Sequence, residues 1–305
     1  MADAPLDPLA QLMQSDPPET PQELRDMLDG MAGLLNADLP EVGAFHDGML
    51  VRQVGGARVT ADVIVPKGDG PHPVLVYLHG GGWVAGSPKT HNRLAHRFAE
   101  GGFLVFNVDY RLGPEHPFPA AFDDCVDAIR WAARIAPDFG GNPEKIAVGG
   151  DSAGGNLAAA TVAALAGETD APRVAAVLLI YGAFDFARMQ PGEAPGVSPE
   201  QAERMLEVMV GGYLGAADER TEKVADPRVS PIHAAAKLPP AHIVCGTADS
   251  LLEHAAAMAD ALDAAGVPFE RHDIADMPHG FVQMEFLPAA RESIDRMLEF
   301  LRKHL

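Results

Sequence analysis

Short apolar runs of strand length alternate with helical patterns along most of the chain. The first two runs are separated by Gly55 and Gly56, a turn signal that predicts an antiparallel hairpin. The later runs are separated by helical segments, which predicts βαβ units and a mostly parallel sheet covered on both faces. The predicted strands are Met49–Val54, Arg58–Val65, Val74–Leu78, Leu104–Val108, Ile146–Val148, Val174–Ile180, His242–Cys245 and Phe269–Asp273.

Helical periodicity fills the segments before and between these strands. The predicted helices are Pro21–Leu35, Thr90–Glu100, Ala120–Ile135, Ala153–Ala166, Pro199–Tyr213, Leu251–Ala265 and Ala289–His304.

One stretch, Phe184–Lys237, fits this alternation poorly. It is long, it contains several proline and glycine residues, and it holds a single helical pattern. Long insertions between consecutive sheet strands are often lids. We therefore expect the N-terminal segment 1–45 and the insertion 184–215 to form a helical cap. The main α/β domain is then built from residues 46–183 and 216–305.

Both expected cap segments carry apolar stripes at helical spacing. The stripe residues are Leu24, Met27, Leu28, Met31, Leu34 and Leu35 in the first segment, and Met205, Leu206, Met209 and Tyr213 in the second. Such stripes need cover, since exposing apolar surface costs about 25 cal/mol per Å². They either pack only on each other or also roof a substrate pocket, a role that suits adaptable methionine side chains. The predicted pocket residues are Trp83, Met205, Met209, Tyr213 and Phe281.

Composition and charge exclude several classes of partner. The 305 residues are 47% hydrophobic and 22% charged, as in ordinary globular proteins. The formal net charge is −20, and residues 1–45 hold nine acids and one base. Such a balance repels nucleic acid and anionic membranes.

No apolar run approaches the roughly 18 residues of a membrane span. Because no secretory signal pattern is present, we expect a cytoplasmic protein. The sequence leaves open whether the protein forms a homodimer.

The cysteines and histidines lack the spacing of known metal motifs. Cys125 and Cys245 lie in apolar helix and strand contexts, so we expect two buried thiols rather than a disulfide. Neither belongs to a CxxC motif, and the histidines form no HExxH pattern. The sequence therefore predicts no metal and no cofactor.

The strongest chemical pattern is Gly-Asp-Ser-Ala-Gly at residues 150–154. It follows an apolar strand and precedes the alanine-rich helix Ala153–Ala166. In this setting G-x-S-x-G forms a nucleophile elbow, a tight turn that exposes the serine and tolerates only small neighbours. The helix N-terminus adds a positive dipole and the free N–H of Ala153. The pattern predicts Ser152 as a nucleophile; the alternative is a purely structural strand–helix turn.

A second pattern is His-Gly-Gly-Gly-Trp at residues 79–83, directly after an apolar strand. Three consecutive glycines lose much conformational entropy on ordering, so they suit a backbone that approaches a ligand closely. The N–H groups of Gly81 and Gly82, with that of Ala153, can form an oxyanion hole. The alternative is a phosphate loop, but the Lys-[Ser/Thr] ending and the dinucleotide spacing are missing. His79 is expected to brace the loop by hydrogen bonding.

The acid and the base should follow the serine in the order Ser, Asp/Glu, His. Asp249 comes shortly after one predicted strand, and His279 shortly after the next. Both thus lie beyond carboxyl ends of strands, where ligands bind in open α/β sheets. Asp276 is the rival acid, but it lies on the same short loop as His279. We therefore predict Asp249 as the acid and His279 as the base.

Together these motifs resemble the hormone-sensitive lipase-like family of bacterial esterases, which has a GDSAG elbow. The resemblance runs from about residue 70 to the end of the chain. The segments that carry it are residues 79–83, Tyr110–Ala120, Gly150–Asn156, Asp226–Pro231, Asp249–Leu251 and His279–Phe281. The chain departs from the family at Gly113, where alanine is usual, and at Leu252–His254, where Arg-Asp-Glu is more common. The proline-rich segment Tyr110–Pro119 is expected to brace the oxyanion strand; the alternative is direct contact with the substrate.

The resemblance implies an α/β-hydrolase fold, with a mostly parallel eight-stranded sheet flanked by helices, and a cap. It implies a carboxylic ester hydrolase that acts on short- to medium-chain acyl esters through an acyl-enzyme. Two alternatives stay open. One is another reaction at the same site, by a dehydratase or an amidase-like deacetylase. The other is a ligand-binding receptor on this fold, in which the triad histidine is typically lost, whereas His279 is present here.

Overall fold

One sheet organises the molecule, which is known from a computed structural model that describes residues 17–36, 38–192 and 197–305. The strands are β1 (Ala44–Val54), β2 (Ala57–Val65), β3 (His72–Leu78), β4 (Leu104–Asp109), β5 (Gly141–Asp151), β6 (Val174–Ile180), β7 (Ala241–Gly246) and β8 (Phe269–Ile274). Their order in the sheet is β1-β2-β4-β3-β5-β6-β7-β8. The pairs β1–β2 and β2–β4 are antiparallel, and every later pair is parallel. The predicted fold class is therefore confirmed.

Helices cover the sheet, and two of them lie in the segments that the sequence predicts as a cap. They are α1 (Pro21–Leu35), α2 (Asn92–Glu100), α3 (Ala120–Ile135), α4 (Ala153–Leu165), α5 (Pro199–Leu214), α6 (Ala217–Lys223), α7 (Leu252–Ala264) and α8 (Pro288–His304). Helix α5 begins with a capping box, in which Ser198 and Gln201 bond each other's backbone N–H groups.

The expectation of a single helix between residues 184 and 237 was wrong, because α6 also lies there. Helix α6 buries none of its residues, so its sequence carries no apolar stripe that could reveal it. Its side chains instead bond to the preceding helix. Arg220 pairs with Glu207, and the Lys223 ammonium donates to the Leu214 carbonyl oxygen at 2.6 Å.

The core lies on both faces of the central parallel strands. Strands β3 and β4 have almost no exposed residue. Helix α4 is buried nearly all round, which its small alanine and glycine side chains allow by letting it approach the sheet closely. Cys125 and Cys245 are both buried and free, so the prediction of two buried thiols is confirmed.

A second, smaller core joins the N-terminal helix to the chain after β3. Leu24 of α1 is buried with Val84 and Ala85, and Met209 of α5 packs against the same group. The two cap stripes thus meet each other and also contact the loop that carries the three glycines. The far end of α1 is less covered, since Leu34 is 42% exposed.

No helix in the three ranges described is both long and apolar enough to cross a bilayer. The cellular compartment stays a prediction from the sequence.

Candidate active site

The turn between β5 and α4 has the geometry of a nucleophile elbow. Ser152 adopts φ +53° and ψ −118°, a backbone conformation that is strained for a residue with a side chain. Its N–H donates to the Ile180 carbonyl oxygen at 2.9 Å, which fixes the turn against β6. The strain therefore persists because the surrounding sheet holds the turn in place.

Gly150 and Gly154, on either side of this turn, have no room for a side chain. A Cβ at Gly150 would lie 2.4 Å from the Gly154 carbonyl oxygen. A Cβ at Gly154 would lie 1.9 Å from the Leu78 carbonyl oxygen. Such approaches exclude any side chain. They also bring the start of α4 against the end of β3, so Ala153 lies beside the glycine loop.

The three predicted side chains of the site form one hydrogen-bonded chain. His279 Nε2 lies 2.9 Å from Ser152 Oγ, and His279 Nδ1 lies 2.8 Å from Asp249 Oδ2. The carboxylate can only accept, so Nδ1 carries the proton and Nε2 is free to accept from the serine hydroxyl. The Asp249 side chain is fully buried, whereas that of His279 is 42% exposed. The imidazole therefore connects a buried charge to a surface that solvent reaches.

The loops after β7 and β8, which carry Asp249 and His279, are bonded to each other. The Ala248 N–H donates to the Met277 carbonyl oxygen at 3.2 Å, which joins the two loops. Asp276, the rival acid, is exposed, and its own N–H donates to Thr247 Oγ1 at 2.8 Å. Among the described residues, Asp249 is the carboxylate that bonds to His279.

The charges of this pair shift both pKa values. The surrounding protein removes part of the water that would solvate the His279 imidazolium, but the charge and hydrogen bond of Asp249 outweigh this desolvation and raise the pKa of His279 above its usual value. Burial also opposes ionisation of Asp249. His279 and the Leu251 N–H, at 2.8 Å from Oδ1, nevertheless hold the pKa of Asp249 below its usual value. Asp249 is thus ionised at neutral pH.

The glycine loop after β3 turns sharply. Gly81 and Gly82 have φ of +121° and +61°, and a Cβ at Gly81 would lie 2.2 Å from the Ala85 carbonyl oxygen. The N–H groups of Val84 and Ala85 turn back to bond the Gly81 carbonyl oxygen, at 3.2 and 2.9 Å. Within the described chain, no acceptor is found for the N–H groups of Gly81 and Gly82. Two donors are therefore available beside the start of α4.

His79 braces this loop, as its sequence context predicted. Its Nδ1 donates to the Gly80 carbonyl oxygen at 2.8 Å, and its ring stacks on Tyr110 with centroids 4.2 Å apart. The Tyr110 hydroxyl in turn donates to the His79 carbonyl oxygen at 2.6 Å. Burial, with His91 nearby, lowers the pKa of His79 to about 3. His79 is thus a neutral structural group, and Tyr110 braces the loop from the other side.

A buried carboxylate that the sequence did not single out connects the parts of the site. Asp151 accepts from the Gly80 N–H at 3.0 Å and from the Tyr77 hydroxyl at 2.9 Å. It also pairs with His91 Nε2 at 3.1 Å, and Gln283 approaches both of these side chains. Burial opposes ionisation of Asp151, but His91 and these donors hold its pKa below the usual value.

We call these four side chains and the Gly80 N–H the Asp151 cluster. Its members come from β3, the glycine loop, the segment before α2, the elbow and the loop after His279. It therefore ties together every loop that carries a predicted site residue except that of Asp249.

Comparison with known proteins places this site in a family. An α/β-hydrolase fold family matches residues 75–283. Carboxylesterase NlhH of Mycobacterium tuberculosis is 37% identical over 237 residues, 76% of this chain and 74% of that protein. Ethyl acetate hydrolase of Pseudomonas putida is 34% identical over 238 residues, 76% of this chain and 73% of its own. A solved esterase of the bacterial hormone-sensitive lipase family is 31% identical and superposes with a TM-score of 0.78, covering 100% of this chain and 99% of its own.

The chain belongs to the bacterial hormone-sensitive lipase family of α/β-hydrolases.

The hydrolase departs from its family at Gly113 for a reason visible in the packing of α5. A Cβ at Gly113 would lie 2.1 Å from the Gly212 carbonyl oxygen of α5. Helix α5 thus approaches the proline-rich segment too closely for alanine. At the second departure, His254 is buried, and its Nδ1 accepts from the N–H groups of Phe184 and Asp185, both at 3.2 Å. The imidazole therefore satisfies backbone groups at the start of the insertion.

The predicted pocket residues of the hydrolase fall into two groups. Trp83, Tyr213 and Phe281 are almost fully buried, so their side chains leave almost no surface open to a substrate. The Trp83 and Tyr213 rings stack with centroids 4.8 Å apart. Met205 and Met209 are half-buried, and the Met209 side chain lies against Gly82, 2.4 Å from where a Cβ would be. Met209 thus contacts the glycine loop at Gly82.

Arg25 of α1 fastens the N-terminal helix to the hydrolase body. Its Nε donates to the Val84 carbonyl oxygen and its Nη2 to the Gly113 carbonyl oxygen, both at 2.8 Å. Its guanidinium also forms a bidentate pair with Glu115, at 2.7 and 2.9 Å. One side chain therefore binds the chain after the glycine loop and the proline-rich segment together. Sequence periodicity could not reveal it, because Arg25 lies outside the apolar stripe.

Proposed function

We propose that this carboxylic ester hydrolase cleaves short- to medium-chain acyl esters through a Ser152-His279-Asp249 triad. The observation that carries the proposal is the chain of hydrogen bonds from Ser152 Oγ through His279 to the buried Asp249, at 2.9 and 2.8 Å. Nucleophile, base and orienting acid then have the mutual distances that acyl transfer requires.

In the acylation step, His279 Nε2 takes the proton of Ser152 while Oγ attacks the ester carbonyl carbon. Asp249 stays ionised, keeps the proton on Nδ1 and stabilises the imidazolium that forms. His279 then gives its proton to the leaving alcohol. Water repeats the same sequence on the acyl-enzyme and releases the acid, so the triad returns to its starting protonation.

The N–H groups of Gly81, Gly82 and Ala153 stabilise the oxyanion. The first two come from the turn of the glycine loop, and the third from the N-terminus of α4, where the helix dipole favours negative charge. Donors held in place before reaction need no reorganisation when the charge develops. The Asp151 cluster is suited to this role, since it holds the Gly80 N–H immediately before these donors.

The preference for short to medium acyl chains follows from the cap. The two apolar stripes pack on Val84 and Ala85, directly after the glycine loop, and Met209 lies against Gly82. A cap seated this close leaves little room for a long chain, while flexible methionine side chains adapt to different short ones. The similarity to an ethyl acetate hydrolase supports the same preference.

A chromogenic ester series tests the proposal. We expect kcat/KM of p-nitrophenyl esters to peak between about four and eight acyl carbons and to fall steeply for long chains. An organophosphate should label Ser152, and mass spectrometry should locate the adduct on its peptide. An ester profile that rises continuously to long chains, or labelling elsewhere with full loss of activity, would refute the proposal.

A further inference from the structure

A second cluster of chemically active side chains lies under α8, away from the triad. His242 is the second residue of β7, and Glu270 and His272 face it from β8. In the sheet register His242 pairs with Glu270, and Val244 with His272. Alternate residues of a strand share a face, so the three side chains lie on one side of the sheet.

The cluster is far from the proposed active site. Asp249 follows the last residue of β7, whereas His242 lies near its start. The four residues from His242 to Gly246 span about 13 Å of strand. The two sites are therefore at opposite ends of β7, and the ester chemistry makes no use of the second.

His242 is the unusual member of this cluster. It is completely buried, and neither Nδ1 nor Nε2 has a hydrogen-bond partner. Buried polar atoms in native proteins are nearly always paired, because an unpaired one bears its full desolvation penalty. An imidazole with two unpaired nitrogens inside the protein therefore points to a missing ligand.

The surrounding atoms offer what a divalent metal needs. One donor atom from each of His242, Glu270 and His272 lies within 4.8 Å of the other two. Glu270 Oε2 is 4.0 Å from His242 Nδ1, and the two imidazole rings have centroids 5.0 Å apart. Two imidazoles and one carboxylate form a ligand set that zinc and similar ions use.

We propose that His242, Glu270 and His272 form a binding site for one zinc-like divalent ion, which ties the edge strand β8 to β7. The two oxygens of the Glu270 carboxylate have different neighbours. Oε1 accepts from Lys303 at 2.7 Å, and Oε2 faces His242. Arg296 Nη1 lies 3.4 Å from His272 Nδ1. These two cations of α8 compete with the metal and set a limit on its affinity.

The competing lysine makes the proposal sharply testable. Zn²⁺ is titrated into the full-length protein by calorimetry, with Co²⁺ absorption as a spectroscopic reading of ligand geometry. We expect one site, and a melting temperature that rises with the Zn²⁺ concentration because the ion binds the folded state. His272→Gln should remove this site, with an affinity loss of at least about tenfold. Lys303→Met should strengthen binding several-fold, because it removes the positive charge beside Glu270.

The matched control is His233→Gln, which removes an exposed histidine elsewhere and should leave the site unchanged. His272 and Lys303 are chosen because both are more exposed than His242, whose replacement could unfold the sheet edge. The proposal is overturned if the wild type binds no Zn²⁺, if His272→Gln binds it equally well, or if Lys303→Met does not increase the affinity.

Discussion

The carboxylate of Asp151 lies 3.0 Å from the backbone nitrogen of Gly80 and accepts its N–H. Each of these residues precedes a proposed catalytic element: Asp151 precedes the nucleophile Ser152, and Gly80 precedes the donor Gly81. This buried hydrogen bond thus joins the proposed nucleophile turn to the loop that carries the proposed oxyanion donors. The sequence identifies both motifs, but this bond shows how they are held relative to each other.

Replacement of Asp151 by asparagine should disturb this alignment without emptying the space. The amide would keep one oxygen for the Gly80 N–H and the Tyr77 hydroxyl, which both bond Oδ1, but its NH₂ group would replace Oδ2, which accepts from His91 and Gln283, and the negative charge would be lost. Because loss of one oxyanion donor slows catalysis about 10²–10³-fold, we expect Asp151→Asn to lower kcat about 10- to 100-fold. KM should change little, since substrate binding elsewhere is untouched. Steady-state kinetics give both constants.

The control for that variant is Asp62→Asn. Asp62 is also a buried carboxylate that accepts a backbone N–H, from Gly48 at 2.8 Å, but it lies on β2. The variant Asp62→Asn should therefore change the melting temperature and leave kcat nearly unchanged. Equal effects of the two variants on kcat would show that the Asp151 cluster serves stability alone.

Substitutions in the triad should separate the two candidate acids. Ser152→Ala and His279→Ala should each lower kcat by about 10⁴-fold or more, and Asp249→Asn by about 10³- to 10⁴-fold. Asp276→Asn should leave the rate within about twofold, since Asp276 is exposed and does not bond to His279. Circular dichroism checks the fold of each variant. Severe loss in Asp276→Asn with normal rates in Asp249→Asn would reverse the assignment.

The pH profile should report the His279–Asp249 pair. The base must be neutral, and Asp249 raises the pKa of His279, so the active form appears only at higher pH. We expect kcat/KM to rise with pH through an inflection above about 6.5, the ordinary imidazole value. In Asp249→Asn the residual activity should show its inflection at lower pH. An inflection that does not move, or moves upward, would mean that another group controls the profile.

Space beside the glycine loop should depend on Met209. Three glycines leave the loop without side chains, which favours bulky groups such as tertiary alcohols, but the Met209 side chain packs against Gly82. Met209→Ala should therefore raise the rate on tert-butyl acetate relative to n-butyl acetate by roughly tenfold. Gly82→Ala should lower both rates, because its φ of +61° strains any side chain. The matched control is Met205→Ala on the same helix, for which we expect an unchanged ratio.

Removal of the N-terminal helix should affect both activity and solubility. Deletion of residues 1–36 exposes Val84 and Ala85, now buried under Leu24, and removes the contacts of Arg25. We expect a protein that aggregates more readily, with kcat/KM at least about tenfold lower and a changed acyl-length profile. Arg25→Met keeps the apolar cover and removes only the polar contacts, so its loss should be smaller. A well-folded deletion variant with an unchanged profile would exclude the helix from substrate selection.

Local patterns were sufficient to predict the strands and the strand–turn–helix at Ser152, and they identified Asp249 and His279 as side chains that follow successive strands. Each of these depends on a short motif or on strand order, which the sequence displays directly. The Asp151 cluster could not be predicted, because its partners are distant in sequence and only sheet topology brings them together. The same holds for His242, Glu270 and His272, whose spacing matches no metal motif.

The sequence predicted least well which residues of an apolar stripe would be buried and which would face the site. Apolar periodicity identified Tyr213 and Met209 as members of one stripe, but it could not say which would face the glycine loop. The structure buries Tyr213 against Trp83 and leaves Met209 half-buried beside Gly82. Helix α6 was not predicted because it buries none of its residues, so its sequence carries no apolar stripe.

The seating of α1 through Arg25 and Leu24 makes this helix resemble a bound peptide. It contacts the body through its own side chains, and its covalent link to the rest of the chain is a tether that keeps its effective concentration high. Proteolytic cleavage of that tether would turn an intramolecular contact into a bimolecular one, and dilution alone would then release the helix. A synthetic peptide of residues 17–36, added to the deletion variant, should accordingly restore activity along a saturable concentration curve.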